Sequence, residues 1–506
     1  MTGTRPKLSW SDLSGARAGV WGLGREGMAN VRRLRAMGVE PVLVDDRPHA
    51  VAIGGMPVLG TGYGGLAALE KCDVVVKSPG ISRYRPEVIR LEERGVPVVG
   101  GLGLWLRDAD PARVLLVTGT KGKSTTAAVT GHLLTGLGHR CLVGGNIGQP
   151  PWDPECPPGP PSGPSGDGGP SGDGGDRTWD FWVIEVSSYQ AMDLPCSPPV
   201  VAVTSLHPDH LDWHGGVQNY YRDKLSACSQ PGADLTVVNG DSGLLRERAS
   251  LLGPRVDWVH AADDPGASWM EPLGLLGGHN RRNALIARRC LQALGVADAS
   301  DEAALHAAAG GFRRLDHRLQ VAGAVAGVTF VDDSLSTNVL PTLAALDAFP
   351  GRRVALIAGG HDRGIDYAPL AAALRDRAAP TMVLTLPDSG PRIRAEIEAA
   401  LGADGPPGAS GPAGTGPGAS GLAGVQPGAS GLAGAEDCPD LDAAVARAFD
   451  WARPDGVVLL SPAAPSFGQF RDYRERGEAF ARAMQACRAS IALNLPESGQ
   501  LARLLS

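Results

Sequence analysis

The sequence predicts an α/β protein divided into three domains, 1–110, 111–316 and 317–506, and three observations carry that expectation. Short apolar runs alternate with helical patterns along most of the chain, the pattern of βαβ units around mostly parallel sheets. Two glycine-rich turns, at 22–27 and 119–124, each follow such a run and open a helix. The 506 residues also suffice for about three domains of ~150 residues.

The first domain opens with strand, turn and helix: A-G-V-W-G22-L-G24-R-E-G27, a helical run to Met37, then P-V-L-V-D45-D46. Formally this is G-x-G-x-x-G with an acidic residue about 20 positions further on, a turn whose backbone can approach a nucleotide diphosphate. Alone, the motif fits a nicotinamide enzyme, a binder of another nucleotide diphosphate, or a turn that only packs. A second strand, 73–77, runs into S78-P-G80-I, at the strand end where open α/β sheets bind ligands.

The second domain starts at R-V-L-L-V (113–117), read as a buried strand, with a helix over 124–137. The turn between them is V117-T-G119-T-K-G122-K-S-T. A phosphate chain needs glycines for close backbone approach, a helix N-terminus, a lysine, and a hydroxyl for Mg²⁺. All four occur in order, so Gly119, Thr120, Lys121, Gly122, Lys123, Ser124 and Thr125 are expected to hold ATP. The generic G-x-x-x-x-G-K-[ST] pattern would put glycine at Val117, which makes this loop a shortened variant. Glu185 ends the apolar run W-D-F-W-V-I-E185, a natural place for a Mg²⁺-holding carboxylate or for a solvated strand end. In H207-P-D-H210-L-D-W-H214 the histidines are spaced like zinc ligands, but no cysteine or further ligand cluster accompanies them. A Mg²⁺ or phosphate role for one of them fits the domain better. Lys224 reads as an ordinary helix-face lysine. The helix over 277–294 exposes Asn280 and Asn283 in its first turn, where amides either read adenine or cap the helix.

After F312-R-R-L-D-H317-R318 the third domain alternates again: strands at 328–332, 353–358, 381–385 and 456–460, and helices at 337–348, 366–376, 390–401, 441–452 and from about Arg471. The turns G359-G-H-D-R363-G and S461-P-A-A-P-S466-F-G both follow strands. Two low-complexity stretches, 157–175 and 405–434, are rich in Gly, Pro and Ser and bury too little apolar surface to order themselves. They are expected to be disordered insertions.

Composition narrows the classes. Lys plus Arg number 47 against 54 Asp plus Glu, a net charge of −7, and no basic run tracks a phosphate backbone, so nucleic acid is not an expected partner. No stretch approaches ~18 continuous apolar residues, and the N-terminus has no apolar core, so no membrane span or leader is expected. Eight scattered cysteines without a C-x-x-C pair suit a reducing cytoplasm.

Taken together, these residues resemble the Mur ligases, which build the peptide stem of bacterial peptidoglycan. The likeness covers nearly all of the chain apart from the insertions and tail. It implies a UDP-binding domain, a central ATPase and a C-terminal amino-acid domain, and within the family an enzyme adding glutamate to UDP-N-acetylmuramoyl-L-alanine. By this resemblance Lys123 and Ser124 serve the ATP phosphates and Mg²⁺, and Glu185 and His210 hold Mg²⁺. Lys224 falls on the lysine that becomes a carbamate. Asn280, Asn283, Arg318 and Asp333 contact the nucleotide, and Asn146 the muramoyl substrate. Gly22, Gly24, Gly27, Asp45, Arg47, Ser78 and Gly80 hold the UDP part, while Thr337, Arg363, Ser466 and Tyr473 line the glutamate site. The D-glutamate-adding branch typically has lysine where this chain has Leu335, and lysine again where it has Arg363. The stretches VVVKSPGISRYRPE, VTGTKGKSTT, HLDWHG, GGHDRGIDY and SPAAPSFG look instead like the L-glutamate branch, whose product a separate epimerase inverts. L-Glutamate is therefore the expected substrate and D-glutamate the alternative. A dehydrogenase would leave the ATP loop unexplained, and a non-catalytic ATP-binding regulator would leave Glu185, His210 and Lys224 without a role.

Overall fold

A computed structural model of the chain describes residues 5–157, 179–263, 268–313, 316–402 and 431–494. These form two compact units, one of residues 1–275 with 279–313 and one of residues 276–278 with 314–506. Among the described residues there are three six-stranded sheets, two in the first unit and one in the second.

The first sheet comprises β1 (Ala18–Trp21), β2 (Val42–Asp45), β3 (Ala52–Ile53), β4 (Met56–Gly60), β5 (Val74–Lys77) and β6 (Val98–Gly100), in the order β3-β4-β2-β1-β5-β6. All pairs are parallel except the β3–β4 hairpin. The strand order reverses at β1, which puts the turn after β1 and the loop after β5 side by side at the carboxyl edge, the place for a ligand. Ser78 Oγ donates to Gly22 O at 2.5 Å across that gap.

The second sheet is wholly parallel: β7 (Val114–Thr118), β8 (Cys141–Gly145), β9 (Phe181–Glu185), β10 (Val200–Val203), β11 (Leu235–Asn239) and β12 (Arg255–Val259), in the order β12-β11-β10-β7-β9-β8. Strand β7 is buried at every residue, as a strand covered on both faces must be. One continuous core joins the first two sheets through Trp10, Trp152 and Leu104, and Trp152 Nε1 donates to Asn30 Oδ1 at 2.9 Å. Between the same sheets Lys77 and Arg83 both bond Asp193, all three buried. A charge cluster of this kind is tolerated only when each member is paired.

The third sheet comprises β13 (Gln320–Val325), β14 (Val328–Asp332), β15 (Val354–Ala358), β16 (Thr381–Thr385), β17 (Leu432–Asp437) and β18 (Val457–Leu460), in the order β13-β14-β18-β15-β16-β17, parallel except for β13–β14. Strands β13 and β17 are additions to the sequence reading. The second one corrects it. Residues 432–434, expected in a disordered insertion, are strand residues, and Leu432 and Gly434 pair with Thr381 and Met382. A run of G-L-A-G looks like linker until a neighbouring strand supplies its hydrogen bonds. The first low-complexity stretch beyond residue 157 and positions 405–430 of the second lie outside the described residues.

Candidate active site

Strand β7 delivers the phosphate-loop sequence to the carboxyl edge of the second sheet, and the helix Lys123–Gly136 begins at once. Gly119 has φ 133° and Gly122 φ 91°, both in the left-handed region. A Cβ on Gly119 would lie 2.2 Å from Thr204 Oγ1, and one on Gly122 would lie 2.7 Å from Asn283 Oδ1. Both conformations favour glycine, and at Gly119 the close neighbours include backbone atoms that cannot retreat. The loop is braced from outside: Lys121 N–H donates to Ser205 Oγ at 2.8 Å, and Thr120 Oγ1 meets Tyr220 OH at 2.8 Å. Lys123 Nζ donates to the carbonyls of Gly119 and Thr120, at 3.0 and 3.3 Å, folded over its own loop. Thr125 is buried behind the loop and Ser124 is half-buried.

Asn280 and Asn283 correct the expectation of exposed amides. Both are buried, and Asn283 Nδ2 donates to Asn280 Oδ1 at 3.3 Å. The helix Gly278–Ala293 brings Asn283 against Gly122, with Asn280 bonded behind it, instead of presenting them to solvent.

Glu185, at the end of β9, is also buried and not a solvated strand end. Its Oε1 accepts from Asn146 Nδ2 at 2.8 Å, whereas Oε2 is buried and has no hydrogen-bond partner among the described residues. An orphaned carboxylate oxygen costs free energy unless a donor or cation reaches it. That oxygen beside the phosphate loop fits Mg²⁺, which takes one or two carboxylates and completes its shell with phosphate and water. His210 lies near the same edge, exposed, with φ 50°, its ring 5.2 Å from that of Tyr189. Desolvation holds its pKa below the ordinary value, against the pull of Asp209, which leaves a neutral imidazole available as a ligand.

Lys224 is where the sequence reading fails most. Far from being a surface lysine, it is buried, and its Nζ donates to Gly119 O at 3.1 Å and lies 5.1 Å from the Tyr220 ring centroid. Among the described residues it forms no ion pair. Burial, then the nearby Lys123 charge, holds its pKa well below the ordinary value. His214 is fully buried too, with Nδ1 2.7 Å from Asp223 Oδ2 and Nε2 2.9 Å from Ser188 Oγ.

In the first sheet Gly22 and Gly27 touch: a Cβ on Gly27 would lie 1.8 Å from Gly22 O, while Gly24 has nothing within 4 Å. Asp45 accepts from Leu23 N at 2.7 Å and from Arg47 N at 2.9 Å, so it shapes the turn. Gly80 O accepts from Trp213 Nε1 at 3.1 Å. Two residues of the turn itself, unremarked in the sequence, reach the second sheet. Arg25 donates to Asn146 O at 2.6 Å, and Glu26 accepts from Gln190 Nε2 at 2.6 Å. Burial raises the Glu26 carboxyl to about 7.

Within the second unit Asp333 is caged by its own neighbours. Leu319 N, Ser336 Oγ and Ser461 Oγ all donate to it, and burial raises it to about 6. Arg318 is half-buried in the preceding turn. Thr337 lies just before the helix Val339–Asp347, outside it because Asn338 caps that helix. Arg363 is exposed on the turn after β15, and Ser466 is buried in the loop after β18. Tyr473 opens the last helix, its ring 5.8 Å from that of His317. Sequence reasoning missed Arg476. It is fully buried and donates to Ser334 O and Ala464 O at 2.8 and 3.1 Å, with Nε and Nη1 unpartnered among the described residues. Burial lowers it to about 10. Its place on a charged helical stretch gave no sign of this.

Family models match in three consecutive places: a MurD-like N-terminal domain of Mur ligases over residues 16–100, a Mur ligase middle domain over 117–270, and a Mur ligase glutamate ligase domain over 317–464. A UDP-N-acetylmuramoyl-L-alanine--L-glutamate ligase of Micromonospora sp. is 39% identical over 498 residues, 94% of this chain and 98% of that protein. The protein of the same name from Xanthomonas euvesicatoria pv. vesicatoria is 36% identical over 93% of this chain and 96% of its own length. Among solved structures, a UDP-N-acetylmuramate-alanine ligase from Thermotoga maritima matches 93% of this chain and 99% of its own, with a TM-score of 0.51 at 18% identity. That last likeness speaks for the fold alone. Among the described residues no helix is long and apolar enough to cross a membrane.

Proposed function

The chain belongs to the Mur ligase family, and from that premise we propose that it joins L-glutamate to UDP-N-acetylmuramoyl-L-alanine at the expense of ATP, in peptidoglycan precursor synthesis. A carboxylate is a poor acyl donor. The L-alanyl carboxylate therefore attacks the γ-phosphorus of ATP, the bond to ADP breaks, and an acyl phosphate forms. The glutamate amine then attacks its carbonyl carbon, and inorganic phosphate leaves from the tetrahedral intermediate as the amine loses its proton.

The loop N–H groups and the start of the helix Lys123–Gly136 hold the phosphates, and Lys123 offsets charge on the transferred group. Ser124, Glu185, His210 and Lys224 as its carbamate are the residues that would hold Mg²⁺, which when bound neutralises phosphate oxygens. The observation that carries this reading is Lys224: it is buried on the Gly119 carbonyl and, among the described residues, forms no ion pair, so burial favours the neutral amine that adds CO₂. That addition forms an N–C bond between the neutral amine and CO₂, releases one amine proton and leaves a carboxylate where the amine stood. A nucleotide-binding regulator has no use for it. Gly22, Gly27, Asp45 and Ser78 shape the UDP side, with Asn146 towards the muramoyl group. Thr337, Arg363, Ser466 and Tyr473 are assigned to glutamate, the Arg363 fork gripping a carboxylate where a lysine would offer a point charge. The product carries L-glutamate, so a separate epimerase is the partner that would invert it.

The test supplies the protein with ATP, Mg²⁺, UDP-N-acetylmuramoyl-L-alanine and both glutamate enantiomers in competition, followed by chiral analysis of the product. Phosphate release with L-glutamate incorporated is the expected result. Preferential D-glutamate would overturn the choice of substrate, and no substrate-dependent phosphate release would overturn the ligase.

A further inference from the structure

Tyr84, Asp223, His214 and Ser188 form one hydrogen-bonded chain inside the first unit. The Tyr84 hydroxyl donates to the Asp223 carboxylate, at 2.9 and 3.1 Å from its two oxygens. Asp223 Oδ2 faces His214 Nδ1 at 2.7 Å, and His214 Nε2 faces Ser188 Oγ at 2.9 Å. A carboxylate at Nδ1 assigns the ring proton to that nitrogen, which leaves Nε2 to accept from the Ser188 hydroxyl. Ser188, His214 and Asp223 are all buried, so no substrate reaches them. The chain positions other groups.

What it positions follows from where its members sit. Tyr84 lies on the loop that begins at Ser78, on the edge assigned to UDP. The same loop is stitched twice to Trp213, through Ser82 Oγ to Trp213 O and Trp213 Nε1 to Gly80 O, both 3.1 Å. Asp223 directly precedes Lys224 on the helix Val217–Leu225. Ser188 starts the short helix that follows Glu185 by three residues. Tyr189, next to it, packs on the rings of both Trp213 and His214, with centroids 4.2 and 5.5 Å away. A histidine buried only for packing would satisfy its nitrogens with any nearby carbonyls. Here its two partners are side chains, Asp223 on the lysine helix and Ser188 on the Glu185 segment, and Tyr84 on the substrate loop joins them through Asp223.

We propose that the Tyr84–Asp223–His214–Ser188 chain is a positioning device that sets Lys224 against Glu185 and makes that setting depend on the 78–84 loop, so that the UDP substrate held there organises the carbamate. The proposal rests on the reading of Lys224 given above. It predicts a coupling between two ligands: the UDP substrate lowers the bicarbonate concentration needed to half-fill Lys224, and bicarbonate raises affinity for that substrate by the same factor.

Tyr84→Phe, which removes one oxygen and nothing else, tests it in the full-length protein, with Ser188→Ala at the other end of the chain. Carbamate is read by ¹³C NMR with ¹³C-bicarbonate, with and without UDP-N-acetylmuramoyl-L-alanine, and kcat and KM are measured for each substrate. In the wild type the UDP substrate should increase the carbamate signal at limiting bicarbonate. In both variants that increase should disappear, and kcat should fall about tenfold or more, as when partners of metal ligands are removed. KM for ATP should stay put, and excess bicarbonate should restore part of kcat. If the wild type binds no carbamate, the reading of Lys224 falls and this proposal with it. If the wild type shows the substrate-dependent signal and Tyr84→Phe shows it equally, with kcat unchanged, the positioning chain alone is refuted.

Discussion

Adding one methyl group at Gly122 separates stability from nucleotide binding. With φ 91°, an alanine there costs ~1–2 kcal/mol in backbone strain. Its Cβ would stand 2.7 Å from Asn283 Oδ1 and 3.2 Å from Nδ2 and from Thr204 Cβ. The amide is the free end of a side chain and can turn away, giving up its 3.3 Å bond to Asn280, so packing adds little further cost. At Gly119 the neighbours cannot retreat: Thr204 Oγ1 at 2.2 Å, with backbone nitrogens of Ser205 and Thr204 at 2.9 and 3.0 Å. Overpacking there adds ~1–3 kcal/mol to the strain, about 2–5 in total. Gly24→Ala, in open space with φ −68°, should change stability by no more than ~0.5 kcal/mol. Displacing Asn283 at the ATP loop forfeits one hydrogen bond, ~0.5–1.5 kcal/mol, or roughly two- to twelvefold in affinity for Mg-ATP. Urea unfolding and calorimetric titration of the four proteins, with Asn283→Ala and its combination with Gly122→Ala, measure both quantities. The double variant should bind no worse than the weaker single one, because both act through the same amide. Additive losses, or wild-type affinity in Gly122→Ala, would refute the argument.

Three further outcomes are expected. Lys224→Ala should be nearly inactive yet partly rescued by short-chain carboxylates, which replace the carbamate; full activity without any addition would remove that role. Replacing residues 405–430 with a short Gly/Ser linker should leave the melting temperature nearly unchanged, since loop closure varies by only about 0.6 kcal/mol per doubling of length. Extending the cut through residue 434 takes Leu432 and Gly434 from their pairing with β16, and thermal melts should show a clear loss. Asp333 is raised from 3.8 to about 6, so the folded state holds its proton more tightly than the unfolded chain. Its contribution is then fully present below pH 3.8 and is lost as pH rises towards 6, about 2–3 kcal/mol in all. Wild-type stability relative to Asp333→Asn should fall over that window in urea titrations, and a rise would contradict the assignment.

The alternation of apolar runs and helical periods was enough to foresee most strands of three mostly parallel sheets, because strands covered on both faces must be apolar along their length. The shape of the 119–124 turn was equally legible: G119-T-K-G122-K-S124 lies in contiguous residues between strand and helix, and its left-handed glycines follow from local sequence. Burial does not. Lys224 and Arg476 sit in helical stretches that read as surface, and only packing against Tyr220 and Gly119, or against Ser334 and Ala464, takes them out of water. Residues 432–434 have the composition of a linker and become a strand because β16 offers an unpaired edge. Asn283 and Gly122 are 161 positions apart, and nothing in either neighbourhood announces that one fills the space the other lacks. Tyr84, Asp223, His214 and Ser188 likewise come from separate segments, and each alone is an ordinary residue. Local sequence determines which backbone shapes are cheap. Which side chains lose water, and to whom they then bond, depends on segments distant in the chain, and the tertiary structure alone brings those together.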